Sequence, residues 1–277
     1  MPGDLDGVPT DALEDIAYLS RSRNRVTILD ALASGERTRR ELDESIGVAR
    51  TTLDRIVNEF EERGWAERTS DGAYVATPAG EHVAAEFAPL VGAMQGVRTL
   101  GDTVAWLPTE ELSVGLHHFS DATLRLPEPN NTVAPAEHVT GLLREATEFS
   151  CLVRVAPPLA FEEAMRDGVV DGRLTAEHVI TEGEFAYITG RPDRLRRWRE
   201  YIEAGANVYR YEGDIPCNLF VVDGVVLLSD REPESCAFIE SESEAVRSWA
   251  RGTIETYRTE ADPLTAEAFA DGGSPSA

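Results

Sequence analysis

Every basic side chain in this 277-residue sequence is an arginine: 26 Arg and no Lys stand against 50 Asp and Glu, for a net charge of −24. The missing lysine removes whole chemistries. A phosphate-cradling P-loop, a pyridoxal Schiff base and a kinase-type phosphate clamp each need one. The five histidines (82, 117, 118, 138, 178) form no His-Glu-x-x-His motif, and the three cysteines (151, 217, 236) form no Cys-x-x-Cys pair. No metal site, cofactor or disulfide framework is therefore expected, and the thiols are expected to be reduced and buried. No Gly-x-Ser-x-Gly elbow or dinucleotide-binding glycine pattern follows a strand-like run, so the chain is not expected to be an enzyme.

The arginines are unevenly spread. Residues 21–70 hold ten Arg and ten acids, so this stretch is neutral, whereas the other 227 residues hold 16 Arg and 40 acids and carry the whole −24. A neutral, Arg-dense island in an acidic chain is where a phosphate backbone can approach. Many carboxylates without lysine also suit molar salt, where self-repulsion is screened within roughly 3 Å. A halophilic source is expected.

The elements that must position these arginines are legible in the same segment. Val26, Ile28, Leu29 and Leu32 have helical spacing and stop at Ser34-Gly35. Thr38-Arg39-Arg40-Glu41 is a capping box opening a second helix that ends at Gly47. A third helix, 49–63, carries its core stripe on Leu53, Ile56, Val57 and Phe60. Its opposite face presents Thr51, Arg55 and Asn58, with Arg50 at the leading turn, while Glu59, Glu61 and Glu62 come only later. Two short strands, 65–68 and 73–76, flank the turn Ser70-Asp71-Gly72, and a helix follows from Glu81. Helix, helix, helix, hairpin, helix is the order of a winged helix-turn-helix.

ELDESIGVARTTLDRIVNEFEERGWAERTSDGAYVATPAGEHV is similar to the winged helix-turn-helix of archaeal and bacterial transcriptional regulators. The resemblance implies double-stranded DNA as partner. It places Arg39 and Arg40 at phosphates, Arg50, Thr51, Thr52 and Arg55 in the major groove and Arg68 in or near the wing, with Thr38 also among the DNA-binding residues. Ala49 departs from the pattern, where a Ser or Thr cap is commoner. The alternative is a protein-interaction adaptor whose winged helix grips a protein partner and whose C-terminal domain is purely structural.

Residues 81–107 read as a connecting helix with apolar positions Val83, Phe87, Leu90, Val91, Val97, Leu100 and Val104, suited to a homodimer. Beyond the loop LPEPNNTVAP, strands and helices alternate, and LFVVDGVVLLS is a hairpin about an Asp-Gly turn. The fold class expected is α+β: a winged helix-turn-helix over 10–80, the connecting helix over 81–107, and an α/β domain over 108–267. Residues 1–10 and 268–277 are expected to be disordered.

The later half resembles effector domains of the methanogenesis-regulatory-protein type, through "LPTEEL…HHFSDAT", "GLLREATEFS", "AGANVYRYEGDIPCNLFVVDGVVLLSD" and "AVRSWARGTIETYRTEADPL". It also looks like one lobe of the phospholipase-D-like sensor domains of regulators. The His-x-Lys of phospholipase D chemistry is impossible without lysine. A small-molecule metabolite effector is implied instead, with Arg154, Arg191, Asn218, Asp223 and Asp230 as ligand candidates at element ends. An anionic metabolite favours Arg154, and a sugar favours the Asn and Asp set. The N-terminus is acidic with no apolar run, and LFVVDGVVLL is too short to span a bilayer, so a cytoplasmic protein without a membrane segment is expected.

Overall fold

In the computed structural model, residues 9–108, 110–154, 157–229 and 237–270 are described. The chain forms two compact units that part between Val91 and Gly92, inside a helix. The protein is α+β.

The first unit begins with α1 (Thr10–Ser20), α2 (Arg23–Ala33), α3 (Arg39–Ile46) and α4 (Arg50–Glu62). The strands β1 (Ala66–Arg68) and β2 (Tyr74–Ala76) follow as an antiparallel pair, and α5 runs Pro78–Leu100. Sequence periodicity finds α2 to α4 and the hairpin but not α1, whose first residue lies in the stretch expected to be disordered. Tyr18 and Leu19 of α1 join Ile28, Leu29, Leu32, Leu42, Leu53, Ile56, Val57, Phe60 and Trp65 in one core. Thr77 knits the hairpin to α5: its amide donates to the Trp65 carbonyl, its hydroxyl to the Gly64 carbonyl, and that hydroxyl also accepts the Gly80 amide. A Cβ on Gly80 would lie 1.9 Å from the Trp65 carbonyl oxygen, which explains the glycine in Thr-Pro-Ala-Gly.

The expected connecting helix over 81–107 is shorter than the pattern suggests. α5 ends at Leu100, Gly101 takes a left-handed φ of +53°, and a 3₁₀ turn covers Gly101–Trp106. Along α5, Phe87 and Leu100 are buried, whereas Leu90, Val91, Met94 and Val97 are exposed.

The second unit contains β3 (Thr123–Arg125), α6 (Ala134–Glu145), β4 (Glu148–Val153), α7 (Leu159–Val170), β5 (Thr175–Thr181), α8 (Glu182–Thr189), α9 (Pro192–Glu203) and β6 (Asn207–Tyr211). It closes with β7 (Asn218–Val222), β8 (Val225–Ser229), β9 (Phe238–Ser241), α10 (Glu244–Thr259), β10 (Asp262–Leu264) and a 3₁₀ turn at Ala266–Phe269. The eight strands make one sheet in the order β10-β6-β5-β4-β7-β8-β9-β3. The β4–β5 and β5–β6 pairs are parallel and every other pair is antiparallel.

Strand alternation divides the apolar side chains between the two faces. Phe149, Cys151 and Val153 of β4 pack with α6, α7, α8 and α9, while Leu152 packs with α10 and the segment around Leu100–Phe119. The chain expected to be disordered from 268 is ordered as far as residue 270. Phe269 is fully buried, with its ring stacked 6.2 Å from that of Trp198, because α9 offers an aromatic socket. The rest of that call, and residues 1–8, lie outside the described residues.

Candidate nucleic-acid interface

The geometry around α4 is set from α3 upward. The Thr38 hydroxyl accepts the Glu41 amide at 3.3 Å and donates to the Glu41 carboxylate at 2.8 Å, while the Thr38 amide reaches the same carboxylate at 2.7 Å. The Thr38 hydroxyl is thus occupied by the capping box, which lowers the Glu41 carboxyl below its ordinary value. Gly47 in the left-handed region ends α3, and Ala49 opens α4 with no side-chain cap. The Thr52 amide bonds to the Ala49 carbonyl at 2.8 Å, and no side chain caps the amides ahead of it, an end suited to an anion.

On α4 the stripe Leu53, Ile56, Val57 and Phe60 is buried, and Arg50, Thr51, Arg55 and Asn58 are exposed, with Thr52 half-buried. The arginines differ in what they touch. Arg39 pairs across to Asp54 of α4, Arg40 pairs with Glu44 at 2.8 Å, and Arg55 pairs with Glu59 at 2.9 Å. Arg68 lies over the wing, its Nε 3.4 Å from the Gly72 carbonyl and its guanidinium 5.8 Å from the Tyr74 ring centre. Thr38, Arg39, Arg40, Arg50, Thr51, Thr52 and Arg55 all sit on or beside α3 and α4; Arg68 sits on the hairpin.

The helix missed in the sequence supports this face from behind. Tyr18 of α1 donates its hydroxyl to Glu59 at 2.7 Å, and the Arg25 guanidinium lies 3.8 Å from the Tyr18 ring centre. Burial, with Glu59 beside it, pushes the Tyr18 phenol up to about 12. Asp54 is the other residue that sequence reasoning passed over. It is the single acid among residues 50–58, and that was the available signal.

The ligand candidates of the second unit do not form one cluster. Arg154 and Asn218 are neighbours: Asn218 Oδ1 accepts the Arg154 amide at 2.9 Å, and its Nδ2 donates to Ser229 at 3.2 Å. The Arg154 guanidinium pairs with Asp214 at 3.0 Å. Asp223 is at the far end of the β4–β7 ladder, in the hairpin turn at φ +45°, where its carboxylate accepts the amides of Thr147 and Glu148. Arg191 precedes α9 and stacks on Tyr187 at 3.5 Å. Asp230 lies outside the described residues.

Asp223 also borders a cavity of about 410 Å³ between the sheet and α10, with Ser150, Glu177, Asn207 and Arg251. On the other face of the sheet, His178 Nδ1 is 2.9 Å from the Cys151 sulfur and Nε2 is 2.5 Å from the Tyr201 hydroxyl. Burial lowers His178 to about 3, so the imidazole is neutral. Among the described residues no three His, Cys, Asp or Glu side chains are grouped to hold a metal ion, and no helix is long and apolar enough to cross a membrane.

Residues 13–98 match the family described as the HVO_A0261 N-terminal domain. Residues 132–260 match the middle domain of methanogenesis regulatory protein FilR1. The regulator resemblance read from the sequence is borne out by these matches. A 100-residue stretch is 31% identical to an FMN-dependent NADH:quinone oxidoreductase of Azospirillum brasilense; it covers 36% of this chain and about half (48%) of that enzyme. Among solved structures, the archaeal chromatin protein TrmBL2 is similar at 12% identity and a TM-score of 0.41, over 90% of this chain and 98% of its own. The phospholipase D family member Nuc of Salmonella typhimurium is similar at 11% identity and a TM-score of 0.40, over 52% of this chain and 99% of its own.

Proposed function

We propose, for a chain whose two units match an HVO_A0261-type N-terminal domain and a FilR1-type middle domain, a sequence-specific DNA-binding transcriptional regulator that works without catalysis in the cytoplasm of a salt-adapted cell. The first unit is its winged helix-turn-helix, and the second is an α/β effector domain like one lobe of phospholipase-D-like sensors. The observation that carries the reading is the exposed Thr51, Arg55 and Asn58 face of α4, with Arg50 at an N-terminus that no side chain caps. A recognition helix enters the major groove by its N-terminal part, and here the polar, non-acidic side chains are concentrated in that part.

The exposed Leu90 and Val91 at the end of the first unit support a homodimer, being apolar side chains that a second copy would cover. Two copies would read two half-sites related by the dimer axis. A small metabolite would bind the second unit and shift the affinity for DNA; the cavity of about 410 Å³ beside Asp223 is large enough for one.

The test is capture of genomic fragments by the purified protein in molar KCl, beside the Arg50→Ala/Arg55→Ala variant. A shared palindromic motif lost in the variant supports the regulator. Equal capture by both proteins, or none, turns the α4 face toward a protein partner instead.

A further inference from the structure

Asp54 is a carboxylate in a place where DNA binding disfavours one. It lies one turn into α4, three residues after Thr51 and next to Arg55, and its side chain is 35% exposed. A bare carboxylate there would repel phosphates. Arg55 pairs with Glu59 instead. Arg39, at the start of α3, supplies the counter-charge by reaching across to Asp54 Oδ1. One guanidinium contact leaves a carboxylate with further acceptor capacity. The result is a charge-balanced pair, fixed between the two helices, with acceptor sites and no donor of its own beyond the arginine.

We propose that Asp54, positioned by Arg39, is a specificity-determining residue that selects cytosine at one base pair of each half-site. In the major groove cytosine offers the N4 amino donor, whereas guanine offers the acceptors O6 and N7 and thymine the acceptor O4. Adenine pairs its N6 donor with the N7 acceptor, which a carboxylate repels. A carboxylate acceptor therefore favours cytosine over the other bases. The inference rests on the DNA-binding reading of α4.

The test is selection from randomised duplexes in molar KCl with the full-length protein, Asp54→Asn and Arg39→Gln. The wild type selects cytosine at one position of each half-site. Asp54→Asn keeps the side-chain shape but adds a donor, and asparagine pairs with adenine N6 and N7; that single position therefore moves to adenine, and affinity for the cytosine-bearing site falls about ten-fold or more. Arg39→Gln blurs selection at the same position while the others hold, and the held positions report a folded protein. An unchanged base preference in Asp54→Asn overturns the role of Asp54 while leaving the regulator reading intact. Failure of the wild type to enrich any motif overturns both.

Discussion

Asn218 accepts the backbone amide of Arg154 through Oδ1 at 2.9 Å, so the first residue of β7 pins the chain as it leaves β4. Asn218 is itself buried and donates to Ser229 of the next strand. Its substitution would take from the Arg154 amide the acceptor it has in the sheet. Asn218→Ala is expected to cost about 1–3 kcal/mol, the range for leaving a buried polar group unsatisfied. Urea unfolding in molar KCl checks it, and a loss within a few tenths of a kcal/mol would mean that water replaces the side chain.

Acid sensitivity should trace to His178. Its folded pKa, about 3, lies below the ordinary 6.5 because the ring is buried. The unfolded chain therefore binds the proton first: stability is complete above about pH 6.5 and declines as pH falls toward 3. The slope is about 1.4 kcal/mol per pH unit, or about 2 kcal/mol by pH 5. His178→Gln should lose this slope between pH 7 and 5, measured as the difference between variant and wild type. Glu240 acts lower: burial raises its pKa, but hydrogen bonds from Arg125 and His138 outweigh that and leave it lowered. Its contribution is present above about 4.5 and lost as pH falls through the lowered value.

Close backbone approaches make two glycines irreplaceable. A Cβ at Gly80 would meet the Trp65 carbonyl at 1.9 Å, and one at Gly96 would meet the Leu116 carbonyl at 2.2 Å. Backbone cannot step aside as a side chain can. Gly80→Ala and Gly96→Ala should each destabilise the unit that holds them by about 1–3 kcal/mol, the usual range for overpacking. Gly252→Ala is the control, since its Cβ would meet nothing within 4 Å in α10. That variant should gain up to about 1 kcal/mol from helix propensity. Thermal unfolding of the three variants decides it.

The salt dependence of DNA affinity should be shallow. Arg40 and Arg55 each carry an acid partner, so contact with phosphate exchanges one ion pair for another, while Arg39 stays with Asp54. Unpaired cations contribute about 0.9 each to the slope of log K against log salt. Arg50→Ala should reduce that slope by about 0.9, and Arg40→Ala by clearly less. Equal changes in a KCl titration would show that the Arg40–Glu44 pair does not persist in solution.

The parts legible in the sequence are those whose own side chains repeat with a period. The stripe of α4, the Thr38–Glu41 box and the Asp223-Gly224 turn could all be read directly, because each is a local agreement between neighbours. α1 lacked such a signal. Leu13 and Ile16 are exposed, Pro9 provides no side-chain cap, and its anchor is Tyr18 reaching Glu59, 41 residues away. The edge strands β3 and β10, three residues each, take their form from the strand they join rather than from a pattern of their own. The ligand candidates show the same limit. Element ends can be located from sequence, but Asn218 and Asp223 stand at opposite ends of one ladder, and only pairing register reveals it.

The β4–β7 pairing also sets an order of events during synthesis. The middle of the eight-stranded sheet joins residues 149–152 to 219–222, so β4 waits for about seventy further residues before its antiparallel neighbour exists. Until then the emerging chain can offer β4 only the parallel partner β5, with β6 beyond it. Three parallel strands with both outer edges uncovered are slow to form and prone to pair with another chain. The first unit has no such debt, because all of it has been made by Val91, before β4 begins. A ribosome would release a folded N-terminal unit while the sheet behind it was still missing its centre.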